Sequence, residues 1–253
     1  MKNIKLILMY DGTNFYGLQK NKNLRTVEGI LDYNIKKIFN DETIDLTFAS
    51  RTDRGVHAIG QVLNFKSITK IPPENIRNIL NDRLPSDLRI KSSQEVPIDF
   101  SSRFYSKGKI YFYIVNNSID LPHPIIDRYS LWFPYQLDLD RLRKNLKLFE
   151  GEKDFSSFTT EEERKSGSTI RKIYSVDLIK KGDFIYFIFF GKSFLRHQIR
   201  RMVGALLEIE RRNLKSDLII EALITKKHFL GEKKISSRGL FLIKVIYWHL
   251  LQI

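Results

Sequence analysis

The sequence predicts an α/β (α+β) protein of two ferredoxin-like, RRM-like halves, with mainly antiparallel sheets flanking a central active-site cleft. Three observations carry this. The first hundred residues read strand, helix, strand, strand, helix, strand, the order of a ferredoxin-like unit. The second half again offers a helix, two strands, helices and a final strand, without enough internal identity to name a repeat. The chain's 253 residues allow either one large core or two small ones. The reading divides the chain into residues 1–104 and 105–253 and makes the cleft between them the default place for a site.

Residues 4–10 alternate as a strand and stop at the Asp11-Gly12 turn. Thr26 is placed to cap a helix carrying Val27, Ile30, Leu31, Ile35 and Ile38 at helical spacing. Residues 44–49 read as a strand. Pro72 and Pro73 open a second helix reaching about Asn81, with Ile76, Ile79 and Leu80 facing inward. Residues 88–96 and 109–116 read as strands, and 121–134 as a long Pro-containing connection. Leu139, Leu142, Leu146 and Phe149 mark a helix closed by Gly151, and the polar run 157–168 reads as a mobile loop. Residues 170–179 and 184–190 pair across Gly182-Asp183. Helices follow at 198–210 and 217–225, and a last strand at 240–248.

Composition narrows the function. Lys and Arg number 43 against 29 Asp and Glu, a formal charge of +14. That excess favours a polyanionic partner, nucleic acid or anionic membrane, although a generally basic proteome produces the same balance. With no cysteine, disulfides, thiol nucleophiles and Cys-based metal sites are excluded. No segment approaches the ~20 apolar residues of a membrane span, and the short apolar run at the start reads as a first strand rather than a signal peptide. A cytoplasmic protein is expected.

The most informative stretch is 49–65, ASRTDRGVHAIGQVLNF. It sets Asp53 between Arg51 and Arg54 and follows with Gly55, which supplies a positive φ. A lone acid on a tight turn, kept ionised by flanking cations, suits presentation of a nucleophile to an anionic substrate. The plainer alternative is a turn with a surface Asp–Arg pair. The second stretch, FLRHQIRRMVGALLEI from Phe194, puts Arg196 and Arg200 four residues apart on the exposed side of a buried helix, with Arg201 at its edge. Those arginines could clamp phosphate, pair with Asp53, or simply be solvated. In FYSKGKIYFYIV, Lys107 and Lys109 interleave with Tyr105, Tyr111, Phe112 and Tyr113, a pattern suited to base stacking and phosphate contact or to an ordinary amphipathic strand. His57 and His197 have no metal-ligand spacing around them and read as hydrogen-bonded turn or helix-start residues. No phosphate-binding Gly-rich loop and no assignable triad are present, so the chemistry reads as free of cofactor and metal.

Taken in order and spacing, YDGTNFYGLQ with RTVEGIL, SRTDRGVHAIGQVLNF, SSRFYSKGKIYFYI, DFSSF, TIRKI, FLRHQIRRMVG and RGLFLIKVIY resemble the TruA-type tRNA pseudouridine synthases over nearly the full length. The resemblance implies an isomerase that turns uridine into pseudouridine at positions 38 to 40 of the anticodon stem-loop, as a homodimer and without cofactor. It matches Asp53 to the essential nucleophile and Tyr111 to the tyrosine that stacks on the target base. Arg200 matches the arginine that orders the catalytic carboxylate, Leu240 the leucine lining the uracil pocket, and Arg51 the arginine that helps hold the flipped nucleotide. Arg54, Arg196, Lys107 and Lys109 fall to RNA binding. The chain departs from the family pattern at Leu18, Ser50, Arg54, Lys153, Ser236 and Ser237, and across 208–212. None of these touches the Asp53, Tyr111 and Arg200 set. The competing reading is a catalytically silent tRNA-binding or RNA-folding protein on the same scaffold.

Overall fold

A computed structural model describes residues 1–226 and 234–247. The chain runs β1 (Lys2–Tyr10), α1 (Val27–Phe39), β2 (Thr47–Phe48), β3 (His57–Ser67), α2 (Pro73–Asn81), β4 (Leu88–Val96) and β5 (Gly108–Asn116). It continues β6 (Leu131–Trp132), α3 (Leu139–Lys147), β7 (Gly151–Asp154), α4 (Glu161–Ser166), β8 (Ile170–Lys181) and β9 (Phe184–Gly191). It ends α5 (Gln198–Arg211), α6 (Asp217–Thr225) and β10 (Leu240–Ile246). No described helix is long and apolar enough to cross a membrane.

The chain divides into two compact units, Met1–Lys107 together with the chain from Phe241, and Gly108–Leu240. In the first, β1 pairs antiparallel with both β3 and β4, and β2 pairs antiparallel with β3. That order, β4-β1-β3-β2, follows from the ferredoxin-like connectivity read in the sequence, because each helix returns the chain parallel to the strand it left. A cut at 104/105 would give the final strand to the second domain. The strand instead extends this first sheet, Phe241 and Leu242 running parallel to His57 and Ala58.

Local sequence explains the elements. The Thr26 hydroxyl accepts the Gly29 N–H, capping α1, and Asn40 closes the helix in the left-handed conformation. Val27, Leu31 and Ile35 are buried at helical spacing, each contributing roughly 1.5–3 kcal/mol. In α2, Pro73 occupies the first turn, where its missing N–H costs nothing; Ile76 and Leu80 are buried, and Ile79 lies half-covered. A buried amide node ties the strands to the chain beyond β4. Asn64 Nδ2 donates to Asn3 Oδ1 at 3.0 Å, and Asn64 Oδ1 accepts the Ser102 N–H at 2.8 Å. Asn3 Nδ2 in turn donates to the Phe100 carbonyl at 2.9 Å.

In the second unit β5 pairs antiparallel with β9, β9 with β8 and β8 with β7, while β6 runs parallel to the end of β5. Strands β5, β9 and β8 repeat the β1-β3-β2 pairing of the first unit. Tyr111, Tyr113 and Val115 register against Phe189, Phe187 and Ile185 on one buried face, with α3 packed on β8 and α5 on β5.

Several elements differ from the sequence reading. Only Thr47 and Phe48 of residues 44–49 form a strand. The polar run 157–168 is not a loop throughout: α4 forms there because the Thr160 hydroxyl caps the Glu163 N–H and Lys165 pairs with Glu161 one turn back. Strand β7 was hidden by its four-residue length and charge. Residue 248, expected in the last strand, lies outside the described residues.

Replacing Asn64 with Leu would leave the buried Ser102 N–H without its acceptor. The substitution is expected to lower unfolding free energy by about 3 kcal/mol in urea titrations.

Candidate active site

In the first unit, the turn carrying Asp53 leaves β2 and enters β3 across residues 49–56. Backbone hydrogen bonds seat it on residues 15–18 and close it internally. The Leu18 N–H donates to the Thr52 carbonyl at 3.0 Å, the Gly55 N–H to the Phe15 carbonyl at 3.3 Å, and the Val56 N–H to the Asp53 carbonyl at 3.1 Å. Gly55 has φ +76°, the left-handed backbone expected of it. Gly17, also left-handed at φ +98°, lies so close beneath the turn that a Cβ there would sit 3.0 Å from the Thr52 carbonyl oxygen. Below the turn, the Thr52 hydroxyl and the buried Tyr10 hydroxyl are 2.7 Å apart, and Gln61 Nε2 donates to the Ser50 carbonyl at 2.7 Å. Burial pushes the Tyr10 phenol up to about 12, so it stays protonated.

Asp53 is half-buried between exposed Arg51 and Arg54. The two arginines do not serve as its ion-pair partners. Arg54 lays its guanidinium over the Tyr16 ring, 4.2 Å from the centroid, and among the described residues Arg51 makes no ion pair. Adjacency in sequence puts consecutive side chains on different sides of a turn, so spacing alone overstated their hold on the carboxylate. His57, as expected, has a structural part: its Nδ1 accepts the Gly12 N–H at 3.1 Å and its ring stacks on Phe241, 4.6 Å between centroids.

In the second unit, Tyr111 and Tyr113 project from the same face of β5. Tyr111 is 6% exposed and meets the Phe194 ring edge to face at 5.3 Å. Tyr113 is fully buried and donates its hydroxyl to the Ser236 carbonyl at 2.7 Å. Burial raises its pKa strongly, against the opposing fields of Arg200 and Arg238. The segment 235–240 gathers the rest. Its Ile235 carbonyl accepts Arg200 Nε at 2.8 Å, its Gly239 carbonyl accepts the Ile114 N–H of β5 at 2.8 Å, and Leu240 is buried at its end. Tyr111, Arg200 and Leu240, far apart in sequence, are thus brought to one locality by β5, α5 and this segment.

The arginine reading of 196–201 needs correction. Helix α5 starts at Gln198, not Phe194, because His197 takes a left-handed conformation at φ 62°. Arg196 therefore precedes the helix, exposed, its carbonyl accepting the Thr159 hydroxyl, while Arg200 is only 7% exposed inside it. The two do not share a solvated face. His197 is held neutral. Burial, and then the charges of Lys234, Arg200, Arg196 and Arg201, lower its pKa to about 3. Lys107 is exposed and Lys109 half-buried. Among the described residues, no three His, Cys, Asp or Glu side chains cluster as a metal ion would require.

Sequence reasoning missed Gly17, Phe194 and the 235–240 carbonyls. Gly17 and Phe194 stood inside quoted motifs, so the signal was present without a role attached. Backbone acceptors leave no residue-type signal. The departures are accommodated individually: Leu18 is buried, Lys153 Nζ donates to the Leu148 carbonyl, and Arg211 and Arg212 pair with Glu208.

Two measurements check this geometry. Gly17→Ala forces a side chain into left-handed backbone against the Thr52 carbonyl and is expected to cost about 2 kcal/mol of stability, read by thermal unfolding. His197, with its folded pKa below the unfolded value of 6.5, contributes stability that is present above that pH and lost as pH falls toward 3. The loss reaches up to about 2 kcal/mol between pH 7.5 and 5. His197→Asn, which tolerates the same backbone, is expected to flatten that part of the stability–pH curve.

Residues 6–105 and 146–248 match the family model described as tRNA pseudouridine synthase. The tRNA pseudouridine synthase A of Caldicellulosiruptor saccharolyticus is 38% identical over 247 residues, covering 98% of this chain and all of that protein. The protein of the same name from Acetivibrio thermocellus is 37% identical over 251 residues, again 98% of this chain and all of that protein. That of Thermotoga maritima is 34% identical over 249 residues, with the same coverage. With a model matched across most of both halves and relatives aligned end to end, the chain belongs to the tRNA pseudouridine synthase family.

Proposed function

We propose that the protein isomerises uridine to pseudouridine in tRNA, at positions 38 to 40 of the anticodon stem-loop, with Asp53 as nucleophile and no cofactor. The observation that carries this is the seating of Asp53: a half-buried carboxylate on a turn clamped by backbone hydrogen bonds, between two exposed arginines. A protein that only bound a polyanion would gain nothing from a carboxylate there, which weighs against the silent-binder alternative.

The reaction breaks the N1–C1′ bond, turns the base, and joins C5 to C1′. The C5 proton is lost and N1 gains one, so the product is an isomer of the substrate. A uracil in a stem is stacked and must first be extruded. Asp53 then attacks the base or C1′, or removes the C2′ proton; the residues present serve each route. On this reading Tyr111, its ring plane fixed by Phe194, stacks on the freed base, Leu240 lines its pocket and Arg51 holds the flipped nucleotide. Arg200 orders the catalytic carboxylate. Arg54, Arg196, Lys107 and Lys109 bind RNA phosphates, with affinity that falls as salt rises. The protein works in the cytoplasm, where its substrate is, and as a homodimer, which light scattering at working concentration checks.

Incubation with unmodified tRNA transcripts and position-resolved mapping should yield pseudouridine in the anticodon arm. Asp53→Asn should abolish it, a loss of at least about 10³-fold, while tRNA affinity stays within about twofold. Tight tRNA binding by the unaltered protein without any pseudouridine would instead establish the silent binder.

A further inference from the structure

Arg54 is the residue next to the proposed nucleophile, yet its charge is not spent on Asp53. Its guanidinium carbon lies 4.2 Å above the centroid of the Tyr16 ring. It makes no ion pair among the described residues. The arrangement contrasts with that one residue before Tyr16. There Arg25 covers Phe15 at 4.1 Å, but its two terminal nitrogens are bound by Asp87 at 2.9 and 2.7 Å. Arg25 is a closed structural pair. Arg54 has the same aromatic support and no carboxylate.

The support is itself fixed. The Tyr16 N–H donates to the Arg25 carbonyl at 2.9 Å, and the neighbouring Phe15 carbonyl takes the Gly55 N–H. Tyr16 is 48% exposed and Arg54 is exposed, so the stack stands at the surface. A guanidinium lying flat on a ring loses one face to the ring and keeps its N–H edge. That edge matches the paired oxygens of a phosphodiester, and the stacking has already restricted the side chain's rotamers.

We propose that Arg54, held by Tyr16, is a preformed contact for a phosphate of the substrate strand beside the target uridine. The inference rests on the tRNA-modifying reading for the identity of the strand. Consecutive Cα atoms are about 3.8 Å apart. A nucleotide reacting at Asp53 therefore brings its own or a neighbouring phosphate within reach of an arginine at position 54. Arg54 positions substrate and takes no part in bond making.

The test is tRNA binding by the full chain, measured by fluorescence anisotropy from 50 to 300 mM NaCl, beside single-turnover pseudouridine formation at saturating protein. Arg54→Gln should weaken binding roughly tenfold at 100 mM NaCl and reduce the slope of log K against log salt by about 1. Arg54→Lys should keep the slope. Tyr16→Leu keeps the charge but removes the support, so affinity should fall about threefold with the slope unchanged. In Arg54→Gln and Tyr16→Leu, the loss should appear in the protein concentration that half-saturates the single-turnover reaction. Weaker binding by Arg54→Gln with an unchanged salt slope would make the contact base stacking and overturn the proposal. A slower saturated rate with unaltered affinity would make Arg54 a support for Asp53 and overturn it equally. If the unaltered protein forms no pseudouridine, the functional reading fails on that assay alone, while the salt slopes still report whether Arg54 meets a phosphate.

Discussion

The close approach of residues 15–18 to the turn at 52–55 is the constraint on which the proposed chemistry depends. Main chain lies on main chain there, with Leu18 and Phe15 bonded to Thr52 and Gly55 and no room for a side chain at Gly17. Backbone hydrogen bonds at a buried contact must be made, because leaving them open costs as much as the bond is worth. The main chain that carries Asp53 is thus held by groups that every residue possesses. On the rim of the turn, the Ser50 carbonyl accepts from Gln61 and the Arg54 side chain lies over the Tyr16 ring.

The second unit solves a different problem, the burial of a cation. Arg200 is almost inaccessible, and a buried guanidinium needs hydrogen-bond acceptors to offset lost hydration. The carbonyl of Ile235 supplies one. The same segment accepts the Tyr113 hydroxyl and the Ile114 N–H, so the helix that carries Arg200 and the strand that carries Tyr111 are referred to one stretch of backbone. His197 stays neutral chiefly because it is buried, and then because three arginines and a lysine surround it; its left-handed backbone lies immediately before α5. That single conformation removes Arg196 from the helix face on which simple four-residue spacing would place it.

The elements legible in the sequence were those whose signals are local. Pro73 and the Ile76–Leu80 spacing marked α2, Thr26 marked α1, and Gly182-Asp183 marked the β8–β9 hairpin; all three lie where periodicity and capping put them. Strand β7, four residues of mixed charge, and α4, a helix with no buried residue, carry no such periodicity. Their stability comes from pairing with β8 and from a cap, neither of which leaves an apolar pattern to read.

Of the site, the sequence by itself determined the residue types and their order: Asp53 between arginines before a glycine, a tyrosine strand, and an arginine in a long amphipathic helix. Those follow from chemistry and short-range geometry, and with the motif order they sufficed for the family. Only the tertiary structure decided that Arg54 turns to Tyr16 rather than to Asp53, that Arg200 is buried while Arg196 is not, and that the strand from Phe241 adds to the first sheet beside β3. Each is a choice among partners distant in the chain, made by which contacts best offset the loss of water, and no local pattern encodes that comparison.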